Sequence, residues 1–157
     1  MNGAPDTLVV GIGNGFRGDD AAGLLAARLL APGAPDGTRV IEHNGDGMLL
    51  MSEWQRFRRV IVIDALHVAG TPGEILRFDA SEKPLAIKGG HSSTHALSIG
   101  DTIELARTLG ELPAQMIVYG IVGATFEIGA APTVAVCEAV KVLAARVREE
   151  LLDGGKI

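Results

Sequence analysis

The stretch RVIVIDAL, residues 59–66, constrains the fold of this 157-residue chain more than any other. It is apolar on both faces, which is typical of a strand buried at the centre of a parallel sheet. Strand-like and helix-like segments alternate around it, with strands predicted at 7–12, 38–43 and 115–122 and helices at 20–30, 47–57, 95–109 and after Pro132. Strands separated by helices imply crossover connections, which cover both faces of a sheet.

One segment, residues 74–80, departs from this pattern because its polar and apolar side chains alternate, as in a half-exposed edge strand. The turn GTPG before it is too short for a parallel crossover, so this strand is predicted to run antiparallel to its predecessor. The sequence therefore predicts an α/β fold, a three-layer α/β/α sandwich with a mostly parallel, twisted five-stranded sheet and one antiparallel edge strand. We expect a single domain over residues 1–157, with frayed tails at 1–6 and 153–157.

Charge and composition exclude several classes of function. The net charge of -5 argues against a nucleic-acid-binding protein, which needs a basic surface to meet phosphates. No apolar stretch reaches the roughly 20 residues that span a bilayer, and the first residues lack the features of a secretory signal. The single cysteine, Cys137, suits a reducing compartment. We therefore expect a cytoplasmic protein that binds neither nucleic acid nor membrane.

Acidic side chains follow two of the predicted strands at the edge where α/β proteins place their sites. Asp19 and Asp20 follow the first strand, Asp64 ends the third, and His95 opens the helix at 95–109. Two carboxylates and an imidazole form a partial coordination sphere that suits a first-row transition metal. A histidine in the first turn of a helix is also favoured in its neutral, ligating form. Spacing alone leaves an alternative equally open, in which these residues serve as helix and strand caps.

Other residues could supply a different site. Each of the remaining histidines is more typical of a solvated loop residue, although it could substitute as a ligand: His43, His67 and His91. A serine hydrolase built from Ser93 (or Ser92), His95 and Asp64 is disfavoured because the sequence has no G-x-S-x-G elbow. A serine so close to its histidine in the chain is also poorly placed to hydrogen-bond to it.

The glycine-rich turn at 11–18 raises the possibility of a nucleotide site. Gly11 and Gly13 match the start of a dinucleotide fingerprint, but Phe16 stands where its third glycine belongs. A phosphate would also be repelled by Asp19 and Asp20 unless a cation lay between them. The turn therefore favours a cation over a nucleotide.

Taken together, these motifs resemble those of the nickel–iron hydrogenase maturation proteases, over about residues 7–150. The resemblance rests on GIGN followed by GDDAAG, VIVIDAL, SSTHALS followed by ELARTLG, IVYGIVGATFEIG and the helix after Pro132. It implies that the metal-contacting acid of the family corresponds to Asp20 and the strand-end aspartate to Asp64. The helix-start histidine corresponds to His95 rather than His91, because the Ala-Leu pair that follows aligns it.

The resemblance implies a phosphorylase/hydrolase-like fold and a monomeric, aspartyl protease-like hydrolase that acts on peptide bonds. Its substrate would be a nickel–iron hydrogenase large-subunit precursor, trimmed at its C-terminus after nickel insertion. Asp20, Asp64 and His95 would be both the catalytic and the metal-contacting residues, with Asp19 as helix cap and supporting partner. Nickel would arrive with the precursor, so that the free enzyme holds no metal.

Two features differ from many relatives: Ala21 follows the paired acids where glycine is common, and the loop HNGDGM, residues 43–48, lacks a Gly-Gly-Thr pattern. The difference in the loop leaves open which hydrogenase is processed. The alternative from another class is a non-catalytic metal- or nucleotide-binding chaperone on the same fold.

Overall fold

The computed structural model describes residues 5–85 and 98–153. The strands are β1 (Thr7–Ile12), β2 (Thr38–His43), β3 (Arg59–Leu66), β4 (Ile75–Asp79) and β5 (Gln115–Val122). The helices are α1 (Ala22–Leu30), α2 (Gly47–Trp54), α3 (Ile99–Leu109) and α4 (Val134–Asp153), and a short 3-10 helix, Gly18–Ala21, precedes α1. The predicted frayed tails fall mainly outside the described residues.

The strands of the described chain form one sheet in the order β2-β1-β3-β5-β4. All neighbouring pairs are parallel except β4 and β5, which confirms the predicted mixed sheet with one antiparallel edge. The central position of β3 is also confirmed, and Val60, Ile61, Val62 and Ile63 within it are fully buried. Although β4 follows β3 in the chain, it pairs with β5, which lies between β3 and β4 in the sheet.

Two apolar clusters flank the sheet and confirm the three-layer arrangement. Side chains of α1 and α4 pack with one face of the strands, and those of α2 and α3 pack with the other. The apolar stripe predicted on the last helix is buried in the first cluster: Val136, Val140, Leu143, Val147 and Leu151. A Cβ on Gly23 would lie 2.2 Å from the carbonyl oxygen of Ile12, so this glycine lets α1 approach the strand backbone closely.

Helix boundaries differ from the sequence predictions at several ends. The helix expected from Asp20 begins as the 3-10 helix and becomes α-helical only at Ala22. The helix expected from His95 begins at Ile99, because Ser98 is its N-cap and its hydroxyl accepts a 3.2 Å hydrogen bond from the Asp101 amide. The predicted caps Ser93 and Thr94 lie outside the described residues. No helix in the described ranges is long and apolar enough to cross a membrane.

Candidate functional site

Asp20 and Asp64 lie at the same edge of the sheet, as the sequence predicts. Asp20 lies in the 3-10 helix that follows β1, and Asp64 lies near the end of β3, the parallel neighbour of β1. The two carboxylates are close enough for the charge of Asp20 to raise the pKa of Asp64. Strand order thus brings together two acids that are far apart in the chain.

The carboxylate of Asp20 is held by the glycine-rich turn and remains accessible. Its Oδ2 accepts a 3.0 Å hydrogen bond from the Asn14 amide. The side chain of Asn14 in turn accepts a 2.9 Å hydrogen bond from the Phe16 amide, which stabilises the turn. The Asp20 side chain is 20% exposed, so its other oxygen, Oδ1, can meet a ligand at the edge.

Within residues 5–85 and 98–153, Asp64 has few partners for its negative charge. Burial raises its pKa well above the ordinary value, and the charge of Asp20 raises it further; among the described residues, a hydrogen bond from the Ala65 amide opposes both effects. That bond is 2.8 Å long and reaches Oδ1. Two nearby carboxylates with so little compensation form a site whose repulsion a bound cation would relieve.

Asp19 has a different role from the one expected, since its side chain caps neither the 3-10 helix nor α1. The residue is fully buried. Its Oδ2 accepts hydrogen bonds from the amides of Ala124 (2.7 Å) and Thr125 (3.2 Å), and its Oδ1 accepts from the amide (2.7 Å) and hydroxyl (3.0 Å) of Thr133. Burial alone would raise the pKa of Asp19, but these hydrogen bonds outweigh it and lower the pKa. Asp19 therefore anchors the loop between β5 and α4, residues 123–133.

The backbone of the 3-10 helix is joined to the same 123–133 loop. The Gly18 amide donates to the carbonyl of Ala130 (3.0 Å), and the Asp19 amide donates to that of Thr125 (2.7 Å). Gly18 has a φ of 57°, and a Cβ there would lie 2.5 Å from the Thr125 oxygen, so glycine is required. The paired acids therefore have different roles. Asp19 holds the 3-10 helix to the 123–133 loop, and Asp20 faces the edge of the sheet where Asp64 lies.

His67, which the sequence analysis left among the loop histidines, lies beside Asp20. Its Nε2 lies 4.0 Å from Oδ1 of Asp20, and its side chain is 31% exposed. The ring stacks on Phe126 of the 123–133 loop, with centroids 3.3 Å apart and planes at 27°. Burial lowers the pKa of His67, although the charge of Asp20 opposes the shift. The sequence feature that could have identified His67 is its position just beyond the end of β3, the strand that carries Asp64.

The other histidines do not complete a site in the described structure. His43 is engaged within its own loop, where its Nδ1 accepts a 2.9 Å hydrogen bond from the Gly45 amide. His95 and His91 lie outside the described residues, so the third member of the predicted trio stays a prediction. The described helix α3 begins at Ile99, four residues after the predicted start at His95. Within residues 5–85 and 98–153, no group of three His, Cys, Asp or Glu side chains is arranged to hold a metal ion.

Comparison with known proteins identifies relatives along most of the chain. The family model HycI, hydrogenase maturation protease, matches residues 24–153. The Escherichia coli hydrogenase 2 maturation protease is 29% identical over 132 residues, which cover 81% of this chain and 80% of that protein. The hydrogenase expression/formation protein HoxM of Azotobacter vinelandii is 28% identical over 120 residues, which cover 75% of this chain. The chain spans only 58% of the length of HoxM.

Solved structures share the fold. The hydrogenase maturating endopeptidase HybD of E. coli superposes with a TM-score of 0.78 at 24% identity, covering 95% of this chain and 93% of that one. An endopeptidase from E. coli, solved in solution, has a TM-score of 0.82 at 24% identity and covers 96% and 94% of the two chains. These similarities concern the fold, whereas the family model matches the sequence itself. On that sequence match, the chain belongs to the hydrogenase maturation protease family.

Proposed function

We propose that this protein is an endopeptidase that removes the C-terminal extension of a nickel–iron hydrogenase large-subunit precursor. The observation that carries the proposal is the pair Asp20 and Asp64, which adjacent strands place at one edge in a chain of this family. The E. coli relative named a hydrogenase 2 maturation protease supports the same activity, since the match covers most of both chains. A non-catalytic accessory module is not favoured, because the relatives with stated activities are proteases.

The chemistry of the two acids fits a divalent cation delivered by the substrate. Asp64 has a raised pKa, partly because of the charge of Asp20, and a cation between them would remove that repulsion. Carboxylate oxygens together with an imidazole suit a first-row ion such as nickel. A small ligand set with open positions is better suited to contacting an ion already held by another protein than to retaining one. We propose that Asp20, Asp64 and His95 contact nickel in the precursor and that the free enzyme holds none.

Exposed apolar side chains beside Asp20 fit a polypeptide substrate. Phe16 and Ile128 are each 80% exposed; Phe16 lies in the turn before the 3-10 helix, and Ile128 lies in the 123–133 loop, which is hydrogen-bonded to that helix. A 2.7 Å hydrogen bond from the Gly129 amide to the Phe16 carbonyl joins those loops. Large exposed apolar residues grouped beside a site are typical of protein-binding surfaces. We propose that the C-terminal segment of the precursor packs on Phe16 and Ile128 as it reaches Asp20.

The proposal extends to the state and location of the enzyme. One copy of the chain supplies both Asp20 and Asp64, so a monomer is sufficient to form the pair. The single cysteine is consistent with a reducing compartment, and we propose that processing takes place in the cytoplasm.

The direct test is to incubate the full-length protein with a nickel-loaded precursor and with the same precursor lacking nickel. Intact-mass spectrometry reports whether a C-terminal peptide is lost. We expect loss of the peptide from the nickel-loaded precursor alone. A stable complex without any product would contradict the endopeptidase and support an accessory module. Efficient cutting of the nickel-free precursor would instead contradict recognition of the metal.

A further inference from the structure

His67 is placed to interact with whatever Asp20 binds. Its Nε2 points toward Oδ1 of Asp20 at 4.0 Å, which is longer than a hydrogen bond. Asp20 uses its other oxygen, Oδ2, for the hydrogen bond from Asn14. The nearest atoms of the two side chains therefore face each other across a gap, at the edge where the end of β3 brings Asp64 close to Asp20.

We propose that His67 is a further metal-contacting residue, whose Nε2 binds the same divalent ion as Oδ1 of Asp20. Bonds from a first-row ion to imidazole nitrogen and carboxylate oxygen are about 2.0 to 2.2 Å long. Two such ligands on one ion therefore lie roughly 3.0 to 4.2 Å apart, depending on the angle at the ion. The observed separation of 4.0 Å corresponds to an angle of about 145° at the ion, whereas a tetrahedral angle needs about 3.4 Å, so the two side chains close by about 0.6 Å when both bind the ion.

The surroundings of His67 hold its ring in this orientation. Phe126 stacks on the imidazole, and Phe126 itself packs against the buried cluster formed with α1 and α4. The carbonyl of Phe126 also accepts a 3.2 Å hydrogen bond from Nε of Arg17. A ring supported in this way loses little further freedom when it binds an ion, which favours binding. His43 lacks this arrangement, because its Nδ1 is already bonded to the Gly45 amide.

The identification of the ion as nickel rests on the proposed function, but metal binding by His67 can be tested without a precursor. We would titrate the full-length protein, labelled with 15N at histidine, with 113Cd²⁺ as the probe. The proposal predicts that the His67 Nε2 resonance shifts and shows coupling to cadmium, while the His43 resonances stay unchanged. In Asp20→Asn, the His67 response should be lost.

Calorimetry with two variants separates ligation from packing. His67→Phe keeps an aromatic ring on Phe126 but removes the nitrogen, and we expect the Kd for Cd²⁺ to rise about tenfold or more. His43→Gln is the matched histidine control and should leave the Kd unchanged. An unshifted His67 resonance at saturating Cd²⁺, or unchanged affinity in His67→Phe, overturns the proposal.

The outcome for His67 is independent of the outcome for the proposed function. Cleavage of a nickel-loaded precursor by the unaltered protein, together with an unresponsive His67, would remove this inference and leave the endopeptidase intact. Cadmium ligation by His67 in a protein that leaves every precursor uncut would support this inference and contradict the endopeptidase activity.

Discussion

The backbone amide of Asn14 donates a 3.0 Å hydrogen bond to Oδ2 of Asp20. In many α/β proteins the amides of a glycine-rich turn after the first strand point at a phosphate. Here one such amide is occupied by a carboxylate of the same segment, so the turn presents negative charge instead of receiving it. This relationship supports the proposal that a turn resembling a nucleotide-binding loop serves a cation instead of a phosphate.

Removing the charge of either site acid is expected to abolish processing. Asp20→Asn or Asp64→Asn removes one anionic oxygen from the proposed contact with the precursor-borne ion, and we expect the rate of trimming to fall about 100-fold or more, or about 2.7 kcal/mol. Intact-mass spectrometry of a nickel-loaded precursor measures the rate. Asp36→Asn, an exposed carboxylate in the turn before β2, is the matched control and should trim normally. Normal trimming by both site variants with native circular dichroism would rule out this site.

Asp64 is expected to reduce stability at neutral pH. Its pKa is raised in the folded protein, so between the ordinary value of 3.8 and the raised value the folded state binds more protons than the unfolded state. The free energy of unfolding therefore falls as pH rises through this window, by up to about 1.4 kcal/mol for each step of one in pH. Asp64→Asn keeps an oxygen for the Ala65 amide and removes the charge. In urea unfolding at about pH 7, we expect Asp64→Asn to be more stable than the unaltered protein. The part of this gain in stability that comes from removing the charge should disappear near pH 4.

Asp19 is expected to contribute stability, in contrast to Asp64. In Asp19→Asn, the side-chain amide would face at least one backbone N–H of the 123–133 loop, which leaves a buried donor without an acceptor. We expect a loss of about 2 to 4 kcal/mol in the free energy of unfolding, measured in urea. Because the folded pKa of Asp19 is lowered, its contribution is present above 3.8 and is lost as pH falls through that lowered pKa.

The matched control for Asp19 is Asp79→Asn. Asp79 is exposed, and its Oδ1 accepts a 2.9 Å hydrogen bond from the Ser81 amide that asparagine can retain. Its effect is expected to remain within about 0.5 kcal/mol. Equal effects at the two positions would show that the buried hydrogen bonds of Asp19 are not what stabilises the loop.

The exposed apolar residues beside Asp20 are expected to affect precursor binding more than turnover. Burying a side chain such as Phe16 or Ile128 in a complex contributes about 1.5 to 3 kcal/mol, so Phe16→Ser or Ile128→Ser should raise KM about tenfold or more. Steady-state kinetics of precursor cleavage measure KM and kcat separately, and we expect kcat to change little. Leu109→Ser, a 57% exposed residue at the end of α3, is the control. An equal rise in KM for the control would argue against a specific surface.

Much of the architecture follows from local patterns in the sequence. Three such patterns each reflect which faces of a single element are buried. They are the apolar run of β3, the spacing of Val136, Val140 and Leu143 on α4, and the polar alternation of β4. The rule that sites gather at the carboxyl ends of parallel strands then places Asp20 and Asp64 together. The start of α3 was less predictable, because several serines and threonines near it could cap a helix and only the packed chain selects Ser98.

By itself, the sequence determined the fold class, the central strand and the edge that carries the acids, since hydrophobic periodicity and strand ends are properties of neighbouring residues. Tertiary structure alone decided that β4 pairs with β5, that Asp19 anchors the 123–133 loop, and that His67 faces Asp20. The physical reason is that these choices depend on partners distant in the chain. A buried carboxylate takes whichever donors packing brings to it, and a loop histidine acquires a function only from the residues it meets.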